Sequence, residues 1–230
     1  DYIEGVNDSK KLSEKKREKL FDEINERAVA VGIGIVDEKT IDEINIWEAT
    51  RLAMKKAVEN LNVKPEHVLV DAEKKVPINV PYIPIIKGDA LSESIAAASI
   101  IAKVTRDHMI VELDKEYPEY GFAKNKGYGT KEHINAIEKY GITSLHRRSY
   151  APIKRYLEHK PVVEIDGDKV TVKVGEAAHP MDDDHYIQFL VVEAGNEQYA
   201  KCFKPGDVAE ATFTVNSTDD VVALAFCNLH

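Results

Sequence analysis

The sequence predicts an α/β fold over residues 1–158 and an all-β sandwich over residues 159–230. In the first part, helical and extended hydrophobic patterns alternate, which is typical of α/β proteins. In the second part, short apolar runs are separated by turn-forming residues, which is typical of a sandwich of short strands. The charge changes at the same point: the first part has 26 Lys and Arg against 27 Asp and Glu, and the second has 5 against 13. These observations predict two domains with different partners.

The elements of the first part follow from hydrophobic spacing. Apolar residues that recur every three to four positions predict four helices, over residues 13–28, 40–61, 91–117 and 130–140. Pro118 ends the third of these helices and Gly141 ends the fourth. Short apolar runs predict three strands, over residues 30–36, 67–72 and 83–86.

The second part contains six candidate strands, which read KPVVEID, KVTVKV, YIQFLVVEA, QYAKCF, EATFTV and VVALAF. The segments DGD, GNE, KPGD and NSTDD between them are rich in residues that favour turns. Their number and spacing indicate an all-β sandwich.

Composition and the N-terminal residues exclude several classes of protein. No stretch approaches the roughly 18 consecutive apolar residues of a membrane span, and DYIEGVNDSKK lacks the apolar core of a signal peptide. Two cysteines, Cys202 and Cys227, do not indicate a disulfide framework. We therefore expect a cytoplasmic protein with no membrane partner.

Four histidines and one cysteine fall at strand edges or turns of the second part: His159, His179, His185, Cys227 and His230. Imidazoles together with a thiolate suit a transition metal such as iron, and the thiolate favours a redox role. Each residue alone is better explained as a surface histidine or a core cysteine. The five together favour a metal site.

Residues 159–230 resemble the iron domain of superoxide reductases, the desulfoferrodoxin and neelaredoxin family. The motifs that carry the resemblance are EHKPVVE, VGEAAHPMDDDHYIQFLVVEA, KPGDVAEATFTV and FCNLH. The resemblance implies an immunoglobulin-like β-sandwich with one iron ion, which four histidines bind in a plane and one cysteine binds axially. By motif, these ligands are His159, His179, His185, His230 and Cys227. It also implies one-electron reduction of superoxide to hydrogen peroxide at the open sixth position of the iron.

The residues before the first histidine depart from that family's pattern. The family usually has Glu-Lys there, and its lysine attracts superoxide, whereas Leu157 and Glu158 precede His159 in this chain. Lys160 follows the histidine and would point away from it on an extended strand. Because the second part is acidic, we expect weak electrostatic attraction of superoxide.

The partners implied for the second part are superoxide and an external electron donor. Electrons in this family usually come from rubredoxin, and a sequence with two cysteines has no four-cysteine iron centre of its own. An external donor such as rubredoxin is therefore expected. A homo-oligomer is also compatible with the edges of a sandwich.

Two aspartates stand out in the first part. Asp71 ends the apolar strand VLVDA, where α/β folds place active sites, and Asp107 lies in AKVTRDH on a predicted helix. Paired carboxylates hold Mg²⁺ for phosphoryl chemistry. Spacing alone favours the simpler interpretation, in which Asp71 is a turn residue and Asp107 belongs to a solvated ion pair.

Residues 1–156 resemble ribonuclease HII through VNDSKKLSEKKREKL, VLVDA, IIKGDALSESIAAASIIAKVTRD, YPEYGFAKNKGYGTKEH and HRRSY. The resemblance implies a ribonuclease H-like fold that cleaves the RNA strand of RNA–DNA hybrids with Mg²⁺ or Mn²⁺. It implies that Asp71 and Asp107 are two of four metal-binding carboxylates and that Tyr128 stacks at the ribose of the junction. By motif, the substrate-backbone segment contains Asn7, Ser9, Lys10 and Lys11, and the KGD region contributes Lys87, Ser92 and Ser99.

The other two carboxylates of ribonuclease HII belong to a D-E-A-G-R-G motif on its first strand, and this motif does not occur in the 230 residues. We therefore expect an N-terminally truncated ribonuclease HII segment, fused to a superoxide reductase iron domain. Three functions follow. The first is superoxide reduction, for which the motif set is complete. The alternatives are metal-dependent cleavage of RNA–DNA hybrids, or an inactive remnant that only binds them.

Overall fold

A computed structural model describes residues 3–229, which divide into two compact units between Arg147 and Arg148. The α/β prediction for the first part and the all-β prediction for the second are confirmed. The predicted boundary at residue 158 lies inside the second unit, which begins with a helix. None of the helices among residues 3–229 combines the length and apolarity needed to cross a bilayer.

The described part of the first unit, residues 3–147, contains six α-helices and two strands. In chain order they are α1 (Glu14–Arg27), α2 (Glu38–Glu59), β1 (Val68–Asp71), β2 (Tyr82–Ile85), α3 (Gly88–Leu91), α4 (Glu93–Leu113), α5 (Phe122–Asn125) and α6 (Lys131–Tyr140). A short 3-10 turn at Ser9–Lys11 precedes α1, and another at Pro118–Tyr120 lies between α4 and α5. β1 and β2 pair in parallel, with Asp71 opposite Ile85.

The core of the first unit lies between α1 and α4. Leu20 and Ile24 of α1 pack against Ile100, Ile101 and Val104 of α4. These residues recur every three to four positions, so each helix turns one apolar face to the other. This packing fixes α4, the helix that carries Asp107.

The predicted strand over residues 30–36 is wrong, because this segment is extended without being paired in a sheet. Instead it lies directly on α2: a Cβ atom at Gly32 would be 2.2 Å from the carbonyl oxygen of Ala57. Side chains of α2 take the place of a neighbouring strand, since Asn60 Nδ2 donates to the carbonyl of Ile33 at 2.7 Å. The glycines therefore allow this segment to pack closely on a helix. In sequence, such a glycine-containing apolar segment looks the same as a strand.

The second unit begins with α7 (Ala151–His159) and continues with six strands. They are β3 (Pro161–Asp166), β4 (Lys169–Val174), β5 (Ile187–Ala194), β6 (Glu197–Cys202), β7 (Glu210–Thr214) and β8 (Val222–Cys227). The strands form two antiparallel sheets, in the orders β3-β4-β7 and β6-β5-β8. All six predicted strands are confirmed.

The two sheets share one core. Val170, Val172 and Val174 of β4 face it from one sheet, and Leu190 and Val192 of β5 face it from the other. Each of these residues is almost completely buried. Alternation of buried and exposed positions along β4 and β5 is the pattern that a half-buried strand requires. The ends of these strands position the loops that hold the histidines.

Candidate functional site

Three histidines and one cysteine converge in the second unit. Ligand atoms of His159, His179, His185 and Cys227 all lie within 4.8 Å of one another. His179 is 4% exposed and Cys227 is 8% exposed, so the cluster lies largely below the surface. His230, the fifth predicted ligand, lies outside the described residues.

Separate elements bring these four residues together. His159 is the last residue of α7, and Cys227 is the last residue of β8, opposite Ile187 of β5. His179 and His185 lie in the connection between β4 and β5. The cluster therefore forms at one end of the sheets, where a helix terminus, a strand terminus and a loop meet.

Asn228 ties the cysteine to the histidine loop. Its side-chain oxygen accepts from the amide of Tyr186 at 2.9 Å, and its side-chain nitrogen donates to the carbonyl of Asp184 at 2.9 Å. Its own amide donates to the carbonyl of Tyr186 at 3.1 Å. These three bonds flank His185 and fix its backbone relative to Cys227. Sequence analysis did not identify Asn228, although its place between Cys227 and His230 in the CNLH motif was a signal.

The hydrogen bonds of two histidines determine where their lone pairs point. His159 Nδ1 lies 2.7 Å from the carbonyl oxygen of Arg155, and His179 Nδ1 contacts the carbonyl oxygen of Pro180. A carbonyl only accepts, so both Nδ1 atoms carry the proton and both Nε2 atoms of the neutral rings carry a lone pair. These two Nε2 atoms are 3.1 Å apart. Two lone pairs at this distance repel unless a cation lies beside them.

A proton shared between the Nε2 atoms of His159 and His179 is disfavoured. Burial lowers the pKa of His179, and the neighbouring His159 and His185 lower it further, against the opposing effects of the Pro180 carbonyl and of Glu158. A metal ion compensates both lone pairs at once and also accepts the Cys227 thiolate. Bonds from ring N–H groups to carbonyls are the usual way in which proteins orient histidine ligands. The donor set of three imidazoles and one thiolate thus fits a transition metal such as iron.

The charged residues around His159 are engaged within the second unit. Lys154 Nζ lies 3.6 Å from a carboxylate oxygen of Glu158. Lys160 ends α7 as its C-cap residue, not on a strand, and its Nζ lies 5.8 Å from the ring centroid of Tyr156. Lys160 is therefore directed to its own helix.

Asp107, in the first unit, is a buried carboxylate surrounded by cations. It is 5% exposed. Its Oδ1 lies 2.5 Å from Lys103 Nζ and 3.9 Å from Arg106 Nη1, and its Oδ2 lies 3.9 Å from Arg17 Nη2. Sequence analysis missed Lys103 and Arg17. The i, i+4 spacing of Lys103 and Asp107 on one helix was the available signal for the first of them.

Asp71 is exposed at the carboxyl end of β1, as predicted. Its Oδ1 accepts from the amide of Gly88, the first residue of α3, at 2.9 Å. Ala72 and Lys87 flank this contact, and both have positive φ values, of 54° and 56°. Non-glycine residues adopt this backbone conformation at a cost, and such residues cluster at functional sites. Among residues 3–229, neither Asp71 nor Asp107 belongs to a group of three or more ligands.

Tyr128 lies beside Asp107 and is 56% exposed. Lys103 Nζ is 5.2 Å and the Arg106 guanidinium carbon is 5.5 Å from the centroid of its ring. The same two cations contact the buried Asp107, so they link its carboxylate to the exposed tyrosine ring. A presented aromatic ring with flanking cations can stack on a base or ribose while the cations approach phosphates.

The predicted segment Asn7–Lys11 lies against α4. Ser9 is buried and its hydroxyl lies 2.8 Å from that of Ser99. Arg17 Nη1 donates to the carbonyl of Ser9 at 3.1 Å while its Nη2 approaches Asp107. Lys10 and Lys11 are exposed, as is Asn7. Ser9 therefore positions the segment, and its neighbours remain accessible.

Comparison with known proteins gives two family matches. The ribonuclease HII family model matches residues 3–153, and the desulfoferrodoxin family model matches residues 152–230. Ribonuclease HII from Bacillus cytotoxicus is 59% identical over 159 residues, which are 69% of this chain and 61% of that protein. The chain spans about three fifths of the length of the curated relatives that it matches.

Two solved structures are similar to parts of the chain. Ribonuclease H2 from Pyrococcus horikoshii has 30% identity and a TM-score of 0.55, over 66% of this chain and 79% of that chain. Superoxide reductase from Treponema pallidum has 40% identity and a TM-score of 0.30, over 32% of this chain and 62% of that chain. The chain therefore belongs to the ribonuclease HII family through residues 3–153, and its residues 152–230 match the desulfoferrodoxin family.

Proposed function

We propose that the second unit binds one iron ion and reduces superoxide to hydrogen peroxide. The observation that carries this proposal is the pair of Nε2 lone pairs on His159 and His179, 3.1 Å apart, beside His185 and the Cys227 thiol. The family match of residues 152–230 supports it. His230 is proposed as the fifth protein ligand.

When bound there, iron would supply one-electron redox chemistry; conversion of superoxide to hydrogen peroxide takes one electron and two protons. The electron is restored by an external one-electron donor, such as a rubredoxin, because these 230 residues contain two cysteines and so no four-cysteine centre. The role proposed for the residues of this chain is to hold the iron and to orient its ligands. The carbonyls of Arg155 and Pro180 fix two imidazole rings, and the largely buried Cys227 directs its negative charge at the site.

The test of this proposal is the metal content of the purified 230-residue chain, with a visible spectrum before and after oxidation. We expect about one iron per chain and a thiolate-to-iron(III) absorption band that disappears on reduction. Superoxide reduction by the same preparation should depend on added reductant. A chain that folds but binds no iron, even after reconstitution, contradicts the proposal.

Replacement of Asn228 by alanine is expected to weaken iron binding without removing a ligand. The variant loses the side-chain bonds to Tyr186 and Asp184 that hold the histidine loop beside Cys227. Loss of such supporting bonds typically lowers metal affinity by about 10- to 100-fold. Competition with a chelator measures the change. Asn216→Ala is the matched control, because Asn216 is an exposed asparagine whose side chain bonds to Glu197; equal affinities of the two variants would contradict the prediction.

We further propose that the first unit binds RNA–DNA hybrids. Membership of the ribonuclease HII family supports this, and the specific observation is the surface of Tyr128, Lys103 and Arg106. In the proposal the Tyr128 ring stacks on the nucleic acid, and Asn7, Lys10 and Lys11 contact its backbone. Basic side chains at such positions supply most of the affinity for phosphates.

Metal-dependent cleavage is the alternative activity of the same surface. Asp71 and Asp107 have the hard oxygen donors that Mg²⁺ and Mn²⁺ prefer. However, Lys103 Nζ lies 2.5 Å from Asp107 Oδ1, so a divalent cation has to compete with an ammonium group for that oxygen. We therefore propose hybrid binding as the activity of the described residues. If the chain cleaves a labelled hybrid only with Mg²⁺ or Mn²⁺, and Asp71→Asn abolishes this cleavage, then the first unit is a nuclease and the proposal of binding alone is wrong.

Replacement of Tyr128 by alanine is expected to weaken binding of an RNA–DNA hybrid by about 5- to 100-fold, the effect of losing one stacked base. Fluorescence anisotropy with a labelled hybrid, in the absence of divalent metal, measures it. Trp47→Ala is the matched control, since Trp47 is an exposed aromatic residue on α2. If Tyr128→Ala binds the hybrid as tightly as the unmodified chain does, the proposed stacking role of Tyr128 is wrong.

A further inference from the structure

Two buried histidines of the first unit belong to neither site. His133 lies on α6 and is 5% exposed, and His146 follows that helix and is 9% exposed. Their Nε2 atoms are 3.2 Å apart. At this distance one ring can donate to the other, so the protons of the pair are not independent.

The hydrogen-bond partners of the two Nδ1 atoms determine which nitrogen atoms of this pair carry protons. His133 Nδ1 lies 3.0 Å from the carbonyl oxygen of Tyr128, so that nitrogen carries a proton. His146 Nδ1 accepts from the amide of Thr143 at 3.0 Å, so that nitrogen carries none. In two neutral rings, His146 Nε2–H therefore donates to the lone pair of His133 Nε2. The result is a continuous chain of bonds from the Thr143 amide, through both rings, to Tyr128.

This arrangement favours neutral rings. A further proton on His133 Nε2 would face the N–H of His146, and a further proton on His146 Nδ1 would face the amide of Thr143, although the Thr143 hydroxyl, 2.9 Å from that nitrogen, can accept from it. The pair also lies among aromatic rings: Tyr120 and Phe122 have centroids 5.4 and 6.2 Å from that of His146. The Tyr120 hydroxyl, the titratable group of these two, donates to the carbonyl of Gly141.

Burial lowers the pKa of His146 from its ordinary value of 6.5, and the neighbouring His133 lowers it further, against the opposing effect of a hydrogen bond with the Thr143 backbone. When His146 is released from this environment, its pKa is raised again towards 6.5. Below about pH 6.5 the released state therefore binds more protons than the folded state. Stabilisation by the neutral pair is complete above that pH. It is lost as the pH falls from there through the lowered pKa of the folded state.

The Tyr128 end of the chain of bonds lies in the loop that presents the exposed ring. The Tyr128 carbonyl accepts from the Thr130 amide as well as from His133, and the Tyr128 amide donates to the carbonyl of Asn125. His133 is one of the side chains that join this loop to the buried part of the unit; the other is Asn125, whose Oδ1 accepts from the Gly127 amide and whose Nδ2 donates to the Tyr120 carbonyl. Its orientation is in turn fixed by His146.

We propose that His133 and His146 act as positioning residues for hybrid binding: the neutral pair holds the Tyr128 loop in its binding conformation, and protonation of the pair releases it. This inference rests on the proposed role of Tyr128. Hybrid affinity then falls on acidification from pH 7.5 to 5.5. This is opposite to the general gain in phosphate binding that protonation of exposed histidines produces.

Two variants of His133 separate the two bonds that this residue makes. In His133→Asn, the amide nitrogen can replace Nδ1 and keep the bond to the Tyr128 carbonyl, while the bond to His146 is lost. In His133→Gln, the amide oxygen can replace Nε2 and keep the bond to His146, while the bond to Tyr128 is lost. At pH 7.5, we expect His133→Gln to weaken hybrid binding about fivefold, as for one lost hydrogen bond. His133→Asn, which keeps the bond to the Tyr128 carbonyl, should retain more affinity than His133→Gln and lack the further loss of affinity at pH 5.5.

The binding measurements use the full 230-residue chain and a labelled RNA–DNA hybrid, without divalent metal. In parallel, ¹⁵N chemical shifts of the histidine rings at pH 7.5 should show a proton on Nδ1 of His133 and on Nε2 of His146. Opposite tautomers, a charged ring at pH 7.5, or equal affinities of the Asn and Gln variants would each overturn the inference. If neither variant folds, the tautomers and the pH dependence of the unmodified chain decide. If Tyr128→Ala binds normally, the proposed role of Tyr128 fails instead, and the tautomers still report on the pair.

Discussion

A Cys227→Ser variant is expected to bind iron at least about 10- to 100-fold more weakly and to lose the thiolate-to-iron absorption band. Removal of a hydrogen bond that only supports a ligand typically lowers metal affinity by that factor, so removal of the ligand itself should lower it at least as much. Cys227 provides the one sulfur among the described ligands, within 4.8 Å of three imidazoles. A hydroxyl of serine is less acidic than a thiol and donates less electron density to iron. The rate of superoxide reduction should therefore fall more than the iron content does.

Cys202→Ser is the control for this experiment. Cys202 is exposed at the end of β6, outside the cluster, and its replacement should leave iron content, spectrum and rate unchanged. Iron content and rate are measured together, because a loss of rate at full iron occupancy identifies an electronic effect of the thiolate. Cys227→Ser with the spectrum of the unmodified chain would exclude Cys227 as a ligand.

An Asp107→Asn variant is expected to destabilise the first unit by about 3–5 kcal/mol, the usual cost of breaking a buried ion pair by removing one partner. The Asp107 side chain is 7% exposed, and those of Lys103 and Arg17 are 19% and 14% exposed. Asparagine leaves these two cations partly buried without their counter-ion. Chemical denaturation measures the change, with separate probes for the two units because their transitions need not coincide.

Asp22→Asn is the matched control for Asp107→Asn, because Asp22 is an exposed aspartate on α1. Its effect should stay within about 0.5 kcal/mol. The double variant Lys103→Met with Asp107→Asn should recover part of the lost stability, since it removes an uncompensated charge as well. A loss below about 1 kcal/mol in Asp107→Asn would show that the carboxylate is solvated rather than buried with its cations.

The sequence by itself determined the classes of the two units and most of their elements. Periodicity located α1, α2, α4 and α6 and all six strands of the second unit, because one face of each element must be buried. Residue chemistry also predicted a metal site, and four of its five predicted ligands, His159, His179, His185 and Cys227, have ligand atoms within 4.8 Å of one another. Periodicity failed at residues 30–36, where the glycines allow close contact with α2 instead of strand pairing.

Only the tertiary structure decided which groups meet and in which protonation state. The bond between Arg155 and His159 directs one lone pair at His179, 20 residues further on. The Thr143 amide and the Tyr128 carbonyl assign the tautomers of His133 and His146 in the same way. The cations that balance Asp107 come from two helices, α1 and α4. The pairs His159–His179 and Arg17–Asp107 are far apart in the chain, and the local contacts depend on where the backbone turns, so these distances follow from packing and not from the spacing of residue types.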